Sequence, residues 1–288
     1  MERSRIAAQP VSWGINYLPG WGRMVGADRI MADVTALGID ALEYQPGLFP
    51  EEAATARAMF DAAGIRPAAG WVPVDLAQAD RREQLRSFRS AVEFLSELGA
   101  PIATIGAAGP SGDFESGVRL SAEQWRHLLA GFDEITDIAG EHGVQVALHP
   151  HIGTAVERED DIRRVLEHSA IGFCYDTGHI AGAGGDPVRV ARMIADRAVH
   201  LHLKDVDAAI TRRLLDGEIG WARAVGDGIF TPLGRGDVDL RAVLEAFAGY
   251  TGTVVIEQDI RLLDDGSGPV QDPVENMRTS IAYLEQVA

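Results

Sequence analysis

The sequence predicts a single (β/α)8 TIM barrel spanning residues 1–288. Three observations carry that expectation. Eight short apolar runs alternate with longer amphipathic segments, no shift in composition divides the chain, and chemistry-bearing side chains cluster just after the runs. Strict strand–helix alternation gives a parallel sheet, and eight units are enough to close one.

The expected strands are, in order, Val11–Ile15, Ala41–Tyr44, Arg66–Trp71, Ile102–Ile105, Gln145–Leu148, Gly172–Tyr175, Val199–Leu203 and Thr253–Ile256. Between them, Ser87–Leu98 sets Phe88, Val92, Leu95 and Leu98 at helical spacing. Trp125–Ile138 does the same with Leu128, Leu129, Phe132, Ile135 and Ile138, and Ser121 precedes it as an N-cap. Asp186-Pro187 offers a cap followed by proline at the first helical position. An open doubly wound sheet would carry a phosphate-binding glycine turn after its first strand. The stretch from Trp13 to Gly20 has no G-x-G-x-x-G, and no P-loop string occurs anywhere. Two connections, Asp207–Thr231 and Gln258–Asp272, are longer than a barrel needs and are expected to be lids over the catalytic face.

Composition narrows the function classes. Against 26 Lys and Arg stand 43 Asp and Glu, a net charge of −17. Such a surface repels phosphate backbones and anionic lipid, so no nucleic acid and no membrane partner is expected. The opening MERSRIAAQPVSWG lacks the apolar core of a secretory signal, and no run is long enough to span a bilayer. The single cysteine, Cys174, cannot form an intrachain disulfide. A reducing, cytoplasmic setting follows as the expectation. Cys174 lies inside an apolar run with no cation beside it in sequence, so it reads as core.

In a TIM barrel the site lies at the C-terminal ends of the strands. Strand two ends in Glu43. Strand five ends in His149-Pro150-His151, and strand six in Asp176-Thr177-Gly178-His179. Strand seven carries His200-Leu201-His202 and then Lys204-Asp205; strand eight ends in Glu257-Gln258-Asp259. Five of the eight histidines fall at three neighbouring strand ends, a concentration that chance placement does not explain. Residues two apart on a strand face the same side. His149 with His151, and His200 with His202, therefore share the barrel mouth. One divalent ion is expected on His149, Asp176, His202 and Glu257. Two imidazoles and two carboxylates suit Mn, Co, Zn or Fe alike. Trp71, after strand three, fits an aromatic wall around a polar ring as well as it fits core packing. The glycine-rich stretch Ala181–Gly185 reads as a close-approach loop, because Asp186 would repel a phosphate.

At these strings the chain resembles the xylose-isomerase-like barrel superfamily of sugar isomerases, epimerases and dehydratases, most densely from Val146 to Asp259. Asp176-Thr177-Gly178-His179, His200-Leu201-His202 and Val255-Ile256-Glu257 match its metal-binding strand ends in order and spacing. Strand five departs, because His149 stands where members usually have Glu. That departure, in His149-Pro150-His151-Ile152-Gly153-Thr154, resembles the inosose dehydratase group. So do Gly185-Asp186-Pro187, His202-Leu203-Lys204-Asp205, Pro232-Leu233-Gly234-Arg235-Gly236-Asp237 and Glu257-Gln258-Asp259.

The resemblance implies a chemistry. Ketose 3-epimerases of the superfamily use two metal-bound Glu residues on opposite faces of one carbon. Here only Glu257 remains, which tilts the expectation from epimerisation to dehydration of a keto-inositol, keto-polyol or ketose. Glu257 is expected to take the α-proton, and Lys204 is the next candidate base if the ion lowers its pKa. His151, His179 or Lys204 would protonate the leaving hydroxyl. Glu43, Trp71, Asp205 and Arg235 are expected to face the substrate. Epimerase or isomerase activity is the alternative, and a non-catalytic sugar-binding or accessory subunit the second. A homo-oligomer is compatible with each.

Overall fold

In a computed structural model of the chain, residues 1–15, 22–108, 117–263 and 271–287 are described. Eight parallel strands close into one barrel: Ile6–Ala8, Ala41–Tyr44, Arg66–Val74, Ile102–Ala107, Gln145–Leu148, Gly172–Asp176, Ala198–Leu203 and Val254–Ile256. Each pairs with its sequence neighbour, and the last closes on the first through Ile6 opposite Val254. The (β/α)8 expectation holds, and strands two to eight lie where the apolar runs place them.

Strand one does not. It is Ile6–Ala8, upstream of the expected Val11–Ile15, which instead begins as a 3-10 turn over Pro10–Trp13. Pro10 cannot donate to a strand ladder, and the side chain of Gln9 takes the Val11 amide at 2.7 Å, so the chain turns there. Val11 and Ile15 find a different apolar partner. With Ile152, Val206, Trp221, Val225, Ile229 and Phe230 they form a second hydrophobic cluster, separate from the main core.

That second cluster is a cap on the barrel mouth, built by the long connection after strand seven. Within it, helices Ala208–Leu215 and Trp221–Asp227 precede Phe230–Thr231, which pairs antiparallel with Asp205–Val206. In the connection after strand eight, residues 264–270 lie outside the described residues.

Both expected N-caps are in place. Ser121 and Gln124 form a reciprocal capping box at the head of Ala122–Glu141. Asp186 accepts the Arg189 amide at 3.1 Å ahead of Pro187–Ile194. Each such cap contributes about 1 kcal/mol.

Strand alternation positions the site. Outward residues such as Leu42, Tyr175, Leu201, Leu203 and Ile256 join the main core against the helices. Inward residues form small clusters of their own: Ala7, Ala41, Ala68 and Val255, then Ala69, Ile102, Ala147 and Cys174. Two residues further on, the same inward faces carry Glu43, His149, Asp176, His202 and Glu257, every one buried. The barrel interior is thus small and apolar at its floor and densely ionisable at its mouth. Among the described residues, no helix is long and apolar enough to cross a membrane.

Candidate active site

Asp176 organises the site. Its Oδ1 caps the short helix Thr177–Gly182, accepting from the amides of Gly178 at 2.8 Å and His179 at 2.9 Å. Its Oδ2 is thereby left to the barrel interior. There it lies 3.1 Å from His149 Nε2, 2.7 Å from Lys204 Nζ and 3.8 Å from His202 Nδ1. Strand register explains the convergence, because Asp176 pairs with His202 and His202 with Val255, two residues before Glu257.

Lys204 is fully buried among carboxylates. Its Nζ stands 2.7 Å from Asp176, 2.9 Å from Glu257 and 3.5 Å from Asp259. Thr177 fixes its backbone, donating to the Lys204 carbonyl at 2.6 Å and accepting its amide at 2.7 Å. Gly178 makes room for it, since a Cβ there would run into the Lys204 chain and the Phe230 ring. Burial alone would strip the proton from Lys204, but Asp176, Asp259 and Glu257 outweigh it and raise its pKa above the usual value. Without an ion at the cluster, the arrangement favours Lys204 as a cation and not as a base. Lys204 holds its proton.

The carboxylates respond in turn. Burial pushes Asp176 and Glu257 up, but the Lys204 charge first, with nearby histidines, holds both below the usual range. Asp259 goes the other way. Burial dominates and repulsion from Glu257 and Asp176 adds to it, leaving the carboxyl pushed up to about 7. His149, His151 and His179 are all lowered chiefly by burial, His151 to about 3, so these imidazoles are neutral. His202 is the exception. Burial opposes a charge on it, but Cys174, Glu43 and Glu257 outweigh burial and raise it well above the usual value.

The donor set fits a divalent cation. Asp176, His202 and Glu257 each offer a ligand atom within 4.8 Å of the others, and His149 joins Asp176 and His179 in a second such group. His202 Nδ1 and Glu257 Oε2 lie 2.5 Å apart, both buried, and Lys204 Nζ reaches the same carboxylate oxygen at 2.9 Å. A divalent cation could take the place of the proton between these two atoms, since binding releases the proton from an imidazole ligand. Lys204 Nζ supplies positive charge to the same carboxylates in this structure.

Around the cluster runs an aromatic wall. Trp71 meets His149 edge-on at 5.6 Å and lies 5.9 Å from His151, while remaining partly exposed. Gly106 permits this, because a Cβ there would strike the indole. His151 and His179 face each other at 3.8 Å, and Trp221 and Phe230 from the cap close over His179 at 5.6 and 6.3 Å. His151 Nδ1 donates to the Ile152 carbonyl at 2.7 Å, so Nε2 is its basic nitrogen.

Other expected site residues are engaged elsewhere. Glu43 is 1% exposed and its Oε1 accepts from two imidazoles, His200 at 2.6 Å and His202 at 2.9 Å, so it lies beneath the cluster and not at a substrate surface. Asp205 accepts four backbone amides, those of Val206, Gly234, Gly236 and Val238, each at 2.9–3.0 Å. It ties the 232–238 turn to the barrel and has no oxygen left for substrate. Arg235 is exposed on that turn, outside the buried cluster. Cys174 is core as expected, and burial pushes its thiol up to about 11. Sequence reasoning placed His200 and Asp259 at strand ends without giving them a role, and missed Trp221 and Phe230. The signals available were the first His of the H-L-H string, the last residue of E-Q-D, and two aromatics in an over-long connection.

Asp205 yields a first prediction. In Asp205→Asn an amide NH2 would confront backbone N–H donors. The loss is expected to be about 2 kcal/mol of stability in urea unfolding, the scale of hydrogen bonds to a charged acceptor. Amide exchange at Gly234, Gly236 and Val238 should accelerate more than in the barrel strands. Unchanged protection at those three amides would contradict the tie.

Three comparisons bear on this site. A family profile described as "Xylose isomerase-like TIM barrel" matches residues 31–287. The rhizopine catabolism protein MocC of Rhizobium meliloti is 29% identical, over 88% of this chain and 81% of its own. An inosose dehydratase of Geobacillus kaustophilus is also 29% identical, over 88% and 87%. Among solved structures, the IOLI protein with a bound zinc atom superimposes with a TM-score of 0.73 at 16% identity, covering 98% of this chain and 97% of that one.

Proposed function

The chain belongs to the xylose isomerase-like TIM barrel family, and from that membership we propose a metal-dependent hydro-lyase that removes water from a keto-inositol or closely related keto-polyol. The observation that carries the reading is the uneven distribution of acid and base around the cation site. Glu257 and Asp259 stand at the end of strand eight against Lys204, while the neutral imidazoles His149, His151 and His179 gather around Asp176 from strands five and six. The relatives called inosose dehydratase support the substrate class. The zinc in the IOLI structure supports the cation.

His149, Asp176, His202 and Glu257 would hold the ion. A bound divalent cation would act as a Lewis acid towards the substrate ketone, making the adjacent C–H acidic. Glu257 takes that proton, and the electron pair moves into the bond between the α- and β-carbons. The β-hydroxyl leaves as water on receiving a proton that passes from the ammonium of Lys204 through His179 at the moment of departure, leaving Lys204 neutral until solvent reprotonates it. Lys204 Nζ stays protonated at rest, lies 3.3 Å from His179 Nε2, and adds positive charge beside the developing oxyanion. Trp71, Trp221 and Phe230 wall off water from a ring-shaped polyol. Neutral polyols meet no penalty from a surface charge of −17, which also keeps nucleic acid out of the proposal. The lone buried thiol suits a reducing cytoplasm.

Incubating metal-reconstituted protein with a panel of keto-inositols and ketoses, read by mass spectrometry, tests this. A product lighter by one water is expected. Unchanged mass with altered stereochemistry would replace the reading with epimerisation or isomerisation. Binding without turnover would replace it with a sugar-binding subunit.

A further inference from the structure

We infer that Glu43 is a positioning residue for the cation site: buried under the cluster, it takes Nε2–H of both His200 and His202 and so presents Nδ1 of His202 to Asp176 and Glu257. The inference rests on the proposed cation site and names a residue beyond its ligands. Glu43 comes from strand two, three strands round the barrel from strand seven, yet its Oε1 meets His200 at 2.6 Å and His202 at 2.9 Å. Both are on the inward face of one strand, two residues apart, their rings 5.2 Å apart and inclined at 69°. A single oxygen reached from two directions has little freedom to move.

Three features separate this from an ordinary buried ion pair. The first is the atom choice. A histidine has two ring nitrogens, and the one not engaged by a hydrogen bond is the one available to a cation. Glu43 engages Nε2, and Nδ1 is left 2.5 Å from Glu257 Oε2 and 3.8 Å from Asp176 Oδ2. The second is depth. Glu43 and His200 are 1% and 0% exposed, at a level where desolvating a carboxylate costs several kcal/mol. An apolar side chain would fill the barrel at lower cost, so the pair is better explained by what it orients. The third is space. Glu43, His200 and His202 could be counted as a cation site themselves. Both Nε2–H groups, however, are already spent on one Glu43 oxygen, at 2.6 and 2.9 Å. Outer partners of this kind typically change metal affinity about 10- to 100-fold.

The test is calorimetric titration of Co2+ and of Zn2+ into chelator-stripped wild type, Glu43→Ala, Glu43→Gln and His202→Ala, with thermal unfolding of each metal-free protein alongside. Wild type is expected to bind one ion per chain. Glu43→Ala should bind about 10- to 100-fold more weakly. Glu43→Gln, which keeps an acceptor of the same length without the charge, should fall between them. Its cobalt-loaded visible spectrum should differ from wild type, a change that loss of stability alone would not produce. If Glu43→Ala does not fold, Glu43→Gln decides through the same constant and spectrum. Wild-type affinity and spectrum in Glu43→Gln, with affinity lost in His202→Ala, would overturn the role of Glu43 and leave the cation site standing. No ion bound by wild type would overturn both.

Discussion

Glu257→Gln, in protein that retains its metal, is expected to lower kcat by about 10²- to 10⁴-fold, the usual contribution of a positioned general base. The substitution is isosteric, and Glu257 is 5% exposed at the end of strand eight, so the barrel should be undisturbed. Two readouts are needed. Loss of water from the keto-polyol reports the whole reaction, while exchange of the α-hydrogen with deuterated solvent reports proton removal alone. Both should fall together. The structure also identifies the competitor. Glu257 is held below the usual range by Lys204 and His202, which makes it a weak base, while Asp259 is pushed up to about 7 chiefly by burial. Asp259 is thus better matched to proton transfer near neutrality. Wild-type exchange in a metal-loaded Glu257→Gln, with exchange abolished in Asp259→Asn, would move the role two residues along the chain.

How far sequence reasoning reaches in this protein follows from how local each signal is. Inward parity is a property of two or three adjacent residues. It makes His149, Asp176, His202 and Glu257 legible from their strings alone as neighbours around one point. Strand one escapes because Ile6-Ala7-Ala8 is short and alanine-rich, a weak strand signal, while Val11–Ile15 is more apolar. The latter is apolar because it seats the cap, a tertiary fact with no trace in periodicity. Glu43 and Asp205 mislead for a related reason. A carboxylate at a strand end looks the same whether it faces substrate or protein. Glu43 finds its partners 157 and 159 positions away, and Asp205 finds most of its own in a turn 29 to 33 residues on. The ionisation of Lys204 is equally beyond local reading, since it depends on three carboxylates delivered by two other strands.

Lys204→Met should separate the two ways this site is neutralised. Methionine nearly matches the length of the lysine chain and removes only the ammonium. In metal-free protein that leaves Asp176, Glu257 and Asp259 buried together without their shared cation. Removing one partner from a buried charge cluster costs about 3–5 kcal/mol, so urea unfolding in the presence of chelator should show a loss of that order. The loss should depend on pH in a definite direction. Without Lys204, burial and mutual repulsion raise the carboxyl pKa values in the folded state above their unfolded values. The folded variant then binds more protons than the unfolded chain, and its stability falls as pH rises from the unfolded carboxyl range through the raised values. The deficit relative to wild type should therefore be smaller at about pH 5 than at about pH 8. A divalent ion reverses it. Excess ion at about 100 times its dissociation constant adds about 2.7 kcal/mol to any fold that alone binds it. The variant should gain more than wild type at equal ion concentration, because in wild type the ammonium already occupies the same carboxylates. A Lys204→Met protein as stable as wild type in chelator would show that these carboxylates do not depend on Lys204. An equal gain from the ion in both proteins would show that ammonium and metal do not share one site.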